Sequence, residues 1–278
     1  FDIGFSVGRQ DIVIQDGFLI NDTLDSVGIT RNSLRLPGTS NIRITALYAW
    51  DEINRDNNSE DSGANLFGLF TTADTDISTI SLDLAFVNGG QTAGDGFVAG
   101  IDAIQRIGAL NTTFRLLGSL AFDAETDAVS DGVLLFSELS LTPHGTNDLA
   151  YLNGFLGIDR FSSAARGPDR GGPLGRTGLN FAARGLGRFG SPLSNRADDA
   201  VGLAIGYQKF VNRGRSQITI EAGGRADTGG DSFDAVSLAI RGQQALGKRM
   251  IAVIDIFGAH QEDRDESYGA RLEFTVKF

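Results

Sequence analysis

Apolar and polar side chains alternate with a period of two along most of this sequence. In the C-terminal segment 267–278, polar or small side chains separate an apolar set made of Tyr268, Ala270, Leu272, Phe274, Val276 and Phe278. Successive side chains of a strand point to opposite faces of its sheet. The segment therefore predicts a strand with one apolar and one polar face.

The same alternation recurs through the chain in segments close to the roughly 9–11 residues that a membrane-crossing strand needs. The strands that it predicts are 1–10, 41–51, 63–72, 77–87, 97–106, 111–123, 132–142, 149–161, 200–210, 216–226, 233–246, 250–260 and 267–278. The pattern therefore predicts an all-β chain of about 12–14 strands.

Two all-β architectures fit such strands. In a soluble sandwich the apolar faces of two sheets pack on each other, whereas in a membrane barrel the apolar face meets lipid and the polar face lines a lumen. Short and long connections alternate along this chain, and the polar face carries charges of both signs in strand after strand. These observations favour a transmembrane antiparallel up-and-down β-barrel, and we expect residues 1–278 to form this single domain.

The chain also ends on an aromatic residue that closes an alternating strand. The segment from Phe274 to Phe278 resembles the assembly signal of bacterial outer-membrane proteins, which implies that Phe278 lies at the periplasmic end. The short connections are then periplasmic turns. The long connections, near 51–62, 88–96, 123–131, 163–199, 227–232 and 262–266, become outer loops.

Several of these long connections are acidic. The connection 51–62 contains Asp51, Glu52 and Asp56, and the connection 262–266 contains Glu262 and Asp263. They are either solvated tips, or they bind divalent cations that bridge lipopolysaccharide or draw cations toward the mouth.

The number of strands is a further test of the barrel hypothesis. Bacterial single-chain barrels carry an even number of strands, but the alternation predicts thirteen strands in this chain. Either the segment Val13–Ser40 hides a strand or folds inward, or further strands precede Phe1 in a longer barrel.

Composition excludes several classes of function. Lys and Arg number 24 against 35 Asp and Glu, and the resulting net charge of −11 argues against nucleic-acid binding. Cys is absent and His occurs twice, at His144 and His260, which leaves no thiolate chemistry and little scope for a histidine metal site. Neither His lies in a recognisable nucleophile arrangement. We therefore expect no enzymatic activity and no cofactor.

The longest connection, 163–199, stands apart by its arginine and glycine content. Over 160–196 the basic residues are Arg160, Arg166, Arg170, Arg176, Arg184, Arg188 and Arg196, and Asp169 is the only acid. One interpretation is a constriction loop folded into the barrel, whose guanidinium groups attract anionic solutes. The other is an exposed loop whose arginines meet lipopolysaccharide phosphates.

The polar faces of the predicted strands supply the other candidate site residues. The charged positions are Arg43, Asp83, Asp102, Arg106, Arg115, Asp123, Glu138, Asp159, Glu221, Arg225, Arg241, Asp255, Arg271, Glu273 and Lys277. They either line a water-filled pore or pair to fill a closed barrel. The predicted pore and solute-binding residues are Arg43, Arg115, Arg170, Arg176, Arg184, Arg188, Arg241 and Arg271.

The segment Val7–Ile12, with sequence VGRQDI, is followed by Asp16–Ile20, with sequence DGFLI. Together they resemble a segment of the alginate-export-like outer-membrane porins, in which a Gly-Arg-Gln strand runs into an Asp-Gly turn and an Arg-bearing strand follows. Arg31, Arg35 and Arg43 are the candidates for that Arg. The family's Trp near the turn is absent here, and its barrels are longer than this chain. The resemblance implies an Arg-rich lumen that passes anionic polysaccharide, and a chain that forms the C-terminal part of a larger barrel.

The expected function is that of a porin in the outer membrane of a Gram-negative bacterium. It would allow passive diffusion or export of small or oligomeric polar solutes, with a preference for anions, and its other partners would be lipid and lipopolysaccharide. The alternative is a structural or interaction barrel with a plugged lumen.

Overall fold

The computed structural model describes residues 2–51, 53–54, 60–61, 63–89, 94–122, 129–167, 199–228, 235–262 and 264–276. Within these ranges the regular structure is β-strand, apart from two 3-10 turns at Gln15–Gly17 and Asn212–Gly214. None of the helical segments described has the length and apolar character needed to span a membrane. The strands are β1 Ile3–Ile14, β2 Ile20–Leu34, β3 Asn41–Trp50, β4 Ile53–Asn54, β5 Glu60–Asp61, β6 Asn65–Asp74, β7 Ser78–Asn88, β8 Gly96–Ile107, β9 Leu110–Ala121, β10 Gly132–Leu141, β11 Leu149–Asp159, β12 Ala165–Arg166, β13 Ala200–Val211, β14 Ser216–Asp227, β15 Ala235–Ala245, β16 Met250–Gln261 and β17 Arg264–Val276.

The long strands form one antiparallel sheet in which each strand pairs with the next long strand of the chain. The order is β1-β2-β3-β6-β7-β8-β9-β10-β11-β13-β14-β15-β16-β17, which is the topology of an up-and-down barrel. Three short strands lie outside this path, because β4 pairs with β5 in a separate two-stranded sheet and β12 pairs with β2 in parallel. The predicted fold class is confirmed.

The thirteen strands predicted from alternation all occur within a few residues of their expected bounds. The additional long strand is β2, which lies in the segment Val13–Ser40 for which the sequence allows either a hidden strand or an inward fold. The structure contains both, because β2 is a strand and the residues that lead into it turn toward the interior. The path through the described residues therefore has an even number of long strands.

The apolar face of the sheet points outward and lies exposed. On β13, Leu203 and Ile205 are 56% and 60% exposed, and on β17 Leu272 and Phe274 are 62% and 57% exposed. In a two-sheet sandwich these side chains would be buried against a second layer. Their exposure is that expected of a barrel whose outer surface meets lipid.

The two ends of the barrel differ in their connections. The end at which β17 finishes, hereafter the turn end, carries the short connections, such as the turn at Gly108, whose φ of +62° suits glycine. The opposite end, the loop end, carries the long connections, among them the segment between β11 and β13. The expected alternation of short and long connections is present along most of the sheet. The expectation of a long outer loop near 262–266 is wrong, because only residues 262–263 separate β16 from β17, and the β1–β2 connection at the same end, residues 15–19, is also short.

Candidate functional site

A hairpin tip, residues 15–20 between β1 and β2, turns into the barrel interior. β2 pairs with β1 up to Ile20 but with β3 only as far as Asp25, so the last part of the hairpin extends past its other neighbour. Gln15, Asp16 and Gly17 all have positive φ, at 50°, 53° and 91°, and this left-handed run reverses the chain sharply. The tip is thereby free to leave the sheet and enter the interior.

Apolar packing holds the hairpin tip in place. Phe18 is 1% exposed, and its ring centroid lies 5.0 Å from that of Phe136 on β10. Leu19 and Ile20 are fully buried in the same cluster, which also contains Leu117 of β9. Burial of such side chains is the dominant favourable contribution to packing, so the tip is a firmly packed part of the interior.

Polar contacts hold the tip to β7 and β9, and the β9 residue that binds the tip is also bound to β8. Gln15 Nε2 donates a hydrogen bond to Asp83 Oδ2 at 3.0 Å. Arg115 on β9 donates from Nη2 to Asp16 Oδ2 at 2.5 Å and from Nε to Asp102 Oδ2 at 3.2 Å. The Arg115 guanidinium carbon also lies 5.5 Å from the Phe18 ring centroid, within the range of a cation–π contact. Strands β7–β10, which receive the tip, are called the insert wall.

The start of the long connection, residues 160–167, follows the tip into the interior and is called the loop base. Ala165 and Arg166 of β12 pair in parallel with the first residues of β2. The Ala164 N–H donates to Leu19 O at 2.9 Å, and Arg166 Nη2 donates to Gly17 O at 2.7 Å. The hairpin tip and the loop base thus form one unit, hereafter the insert.

A second part of the interior, β14–β17, is called the C-terminal wall and carries a row of charges. Arg241 binds Asp255 through two hydrogen bonds, from Nε to Oδ1 at 2.6 Å and from Nη2 to Oδ2 at 3.1 Å. Asp255 pairs in register with Arg271, which forms an ion pair with Glu273. The Arg241 and Arg271 side chains are 26% and 31% exposed, so both remain accessible to solvent.

Tyrosine and glutamate side chains extend this charged row toward β11. Tyr151 of β11 donates a hydrogen bond from Oη to Glu221 Oε2 of β14 at 2.5 Å. The Tyr151 ring occupies the space above Gly206 of β13, where an added Cβ would meet ring carbon Cζ at 2.0 Å. Glycine at position 206 is therefore what allows the two side chains to meet across β13.

The structure brings together only some of the predicted pore residues. Arg241 and Arg271 share the C-terminal wall, while Arg43 lies exposed on β3, with Nη2 3.5 Å from Thr72 Oγ1. The Arg115 side chain is 4% exposed and fastens the insert, so its role in solute binding stays a prediction. Arg170, Arg176, Arg184 and Arg188 lie outside the described residues.

Sequence reasoning did not identify the apolar cluster or the residues of the hairpin tip. A signal for the cluster exists, because alternation gives way to continuous apolar runs at 66–70, 84–87 and 133–136. Such runs indicate strands that are covered on both faces. The insert provides that second cover on the inner side.

The described residues contain no metal-binding cluster and keep the two histidines apart. They include no group of three or more His, Asp or Glu side chains arranged to hold a metal ion. His144 lies in a connection at the turn end, and His260 lies near the loop end of β16, so the two are at opposite ends of the barrel.

Comparison with known proteins identifies the fold. The sequence matches no protein-family model and no curated protein significantly. Solved structures of Pseudomonas aeruginosa OccK5 (OpdH), OccK11 (OpdR) and OccK2 (OpdF) in complex with glucuronate have similar folds, with TM-scores of 0.68, 0.67 and 0.67. The identities are 12%, 12% and 11%; the alignments cover 100%, 99% and 100% of this chain and 79%, 76% and 79% of those chains.

Proposed function

We propose that this chain is a porin of the Gram-negative outer membrane that allows polar solutes, with a preference for anions, to diffuse passively. The observation that carries the proposal is the charged row Arg241–Asp255–Arg271, partly exposed in the interior of a barrel whose outer face is apolar. A solvent-accessible charge inside a membrane barrel is characteristic of a polar pathway.

The mechanism is electrostatic. Arg241 and Arg271 lower the barrier for an anion, because a guanidinium group presents a planar fork of donors to a carboxylate or phosphate. Asp255 and Glu273 beside them keep the binding weak enough for release, which passage through a channel requires. The insert occupies part of the interior and restricts the size of the solutes that pass.

Solutes of the carboxylate class fit this mechanism best. OccK2, whose fold is similar, was crystallised with glucuronate, a sugar that carries one carboxylate. The alginate-export-like resemblance would extend the class to anionic oligosaccharides. Arg170, Arg176, Arg184 and Arg188 would then provide further anion contacts, and lipid and lipopolysaccharide would surround the barrel. Passage of this kind requires neither a cofactor nor catalysis.

Conductance and ion selectivity in planar bilayers test the proposal. The purified chain should give discrete conductance steps, with a reversal potential in a salt gradient that indicates anion preference. The double variant Arg241→Gln, Arg271→Gln should shift the reversal potential toward cations. The matched control is Arg9→Gln, because Arg9 lies on the outward-facing side of β1, paired with Asp25. An unchanged reversal potential in the double variant would remove the C-terminal wall from the pathway.

The interior packing favours one second candidate, a structural or interaction barrel with a plugged lumen. The apolar cluster around Phe18 and Phe136 fills part of the interior at the loop end. If that packing closes the lumen, correctly inserted barrel will give no conductance steps. A variant that loosens the insert, such as Phe18→Ala, would then open it.

A further inference from the structure

An apolar groove of about 540 Å³ runs along the outer face of the barrel near the turn end. Register explains its shape. Ala150 of β11 lies directly between Leu141 of β10 and Tyr207 of β13. Because a methyl group stands between two long side chains, the outer surface has a notch at this point. The adjacent row repeats the feature, with Ala222 of β14 beside Ile205 of β13.

One basic residue, Lys209, lies on the outer face next to the groove at the turn end. Lys209 follows Tyr207 on the same face of β13, one row closer to that end, and it is exposed. Arg215 is exposed in the connection between β13 and β14, and the segment 209–215, with sequence KFVNRGR, contains no acidic residue. The carboxylate of Asp148 accepts hydrogen bonds from Tyr207 Oη at 2.7 Å and from the Phe210 N–H at 2.9 Å, and it also attracts Lys209, so it offsets one of the positive charges at this end of the groove.

We propose that this groove is a binding site for a single anionic phospholipid. One acyl chain lies in the notch formed by Ala150 and Ala222, and the phosphate group meets Lys209 and Arg215. Charge complementarity carries the choice of occupant: basic residues where an apolar membrane surface ends attract anionic headgroups, and a concave apolar surface holds a chain at a fixed position.

Native mass spectrometry of the detergent-purified chain, with phosphatidylglycerol or phosphatidylcholine added at equal concentration, tests the proposal. The expected result is one retained phosphatidylglycerol per barrel and much weaker retention of phosphatidylcholine. Ala150→Leu should abolish the preference by filling the notch. Its matched control is Ala270→Leu, because Ala270 is also exposed on the outward face but lies on β17.

The headgroup contact has its own pair of variants. Lys209→Gln should lower phosphatidylglycerol retention about fivefold, which is the effect expected of one lysine at an anionic lipid surface. Lys248→Gln is the control, because Lys248 is exposed in the turn between β15 and β16 at the same end. Heat-dependent gel mobility should be unchanged in all four variants, which verifies that each barrel is folded.

Two results would overturn the proposal. Equal retention of the two lipids, or a preference that persists in Ala150→Leu, would mean that the groove does not recognise an anionic lipid. A dimer mass that Ala150→Leu removes would mean that a second copy of the chain occupies the groove. Neither result depends on conductance, so failure here leaves the porin proposal untouched.

Discussion

The insert wall and the C-terminal wall use the same residue types in the same register with different outcomes. In each wall an Arg pairs across neighbouring strands with an Asp, Arg115 with Asp102 in one and Arg241 with Asp255 in the other. The Arg115 side chain is 4% exposed because the insert covers it, whereas that of Arg241 is 26% exposed. An arginine that the insert covers therefore stabilises the packing, whereas an uncovered one remains accessible to a solute.

The energetic consequences of the two environments also differ. Removing one partner of a buried ion pair leaves an uncompensated charge and costs about 3–5 kcal/mol. An exposed pair such as Arg271–Glu273, whose side chains are 31% and 43% exposed, contributes about 0–1 kcal/mol, because water already solvates both charges. The Arg241–Asp255 pair is intermediate, because the Asp255 side chain is only 4% exposed. The following variants test this contrast, from the largest expected effect to the smallest.

Phe18→Ala should have the largest effect on stability. Truncating a fully buried Phe costs about 3–5 kcal/mol in lost burial and cavity formation, here at the contact with Phe136. We expect a lower thermal midpoint by circular dichroism and a larger single-channel conductance as the insert loosens. Phe67→Ala is the control, because Phe67 is exposed on the outer face. Equal destabilisation by the two variants would contradict the anchoring role of Phe18.

Arg115→Met should destabilise the barrel by about 3 kcal/mol, at the lower end of the range for a broken buried pair. The lower end applies because Asp16 is 58% exposed and can be solvated, whereas Asp102 is 8% exposed and cannot. Thermal unfolding measures the loss. If Arg115→Met shifted ion selectivity while leaving stability unchanged, Arg115 would act as a solute contact rather than as a fastening.

Arg271→Gln should change stability by less than about 1 kcal/mol, because both Arg271 and its partner Glu273 are partly exposed. The reversal potential should nevertheless move toward cations, since a positive charge has been removed from the C-terminal wall. Parallel unfolding and bilayer measurements on one preparation test both expectations. A loss of stability comparable to that of Arg115→Met would remove the distinction between the walls.

The smallest effect is expected outside both walls, at Asp148 in the turn before β11. Hydrogen bonds from Tyr207 Oη and the Phe210 N–H hold the pKa of the Asp148 carboxyl below its ordinary value. Stability from these bonds is fully present above the unfolded pKa of about 4 and is lost as pH falls through the lower folded pKa. In Asp148→Asn, the free energy of unfolding should therefore fall less steeply as the pH is lowered below about 4. If the free energy of unfolding of Asp148→Asn and of the unmodified chain fell equally at acid pH, the stabilising role of the Asp148 carboxylate would be contradicted.

How far the sequence predicts the fold depends on whether the information is local. Alternation defines β13 and β17 within a few residues, because the period of two is written in the segment itself. It also identifies the inner face, which includes Arg115 and Arg241 alike. It does not reveal what lies on that face.

The insert is not predictable in the same way because its contacts are distant in the sequence. Phe18 packs on Phe136, and Gln15 bonds to Asp83 on a strand that the intervening chain must first bring alongside. The Asp16-Gly17 pair indicates a turn, but not the direction in which the turn points. The difference between the two walls is thus a tertiary property.

The parallel pairing of β12 with β2 has a mechanical consequence. Hydrogen bonds from Ala164 to Leu19 and from Gly167 to Asn21 join the start of the longest connection to the start of a barrel strand. A pull on the chain just after Gly167 would therefore be transmitted through these bonds to Leu19 and its neighbours. A force applied at Gly167 and the packing of the hairpin tip inside the barrel are in this way mechanically coupled.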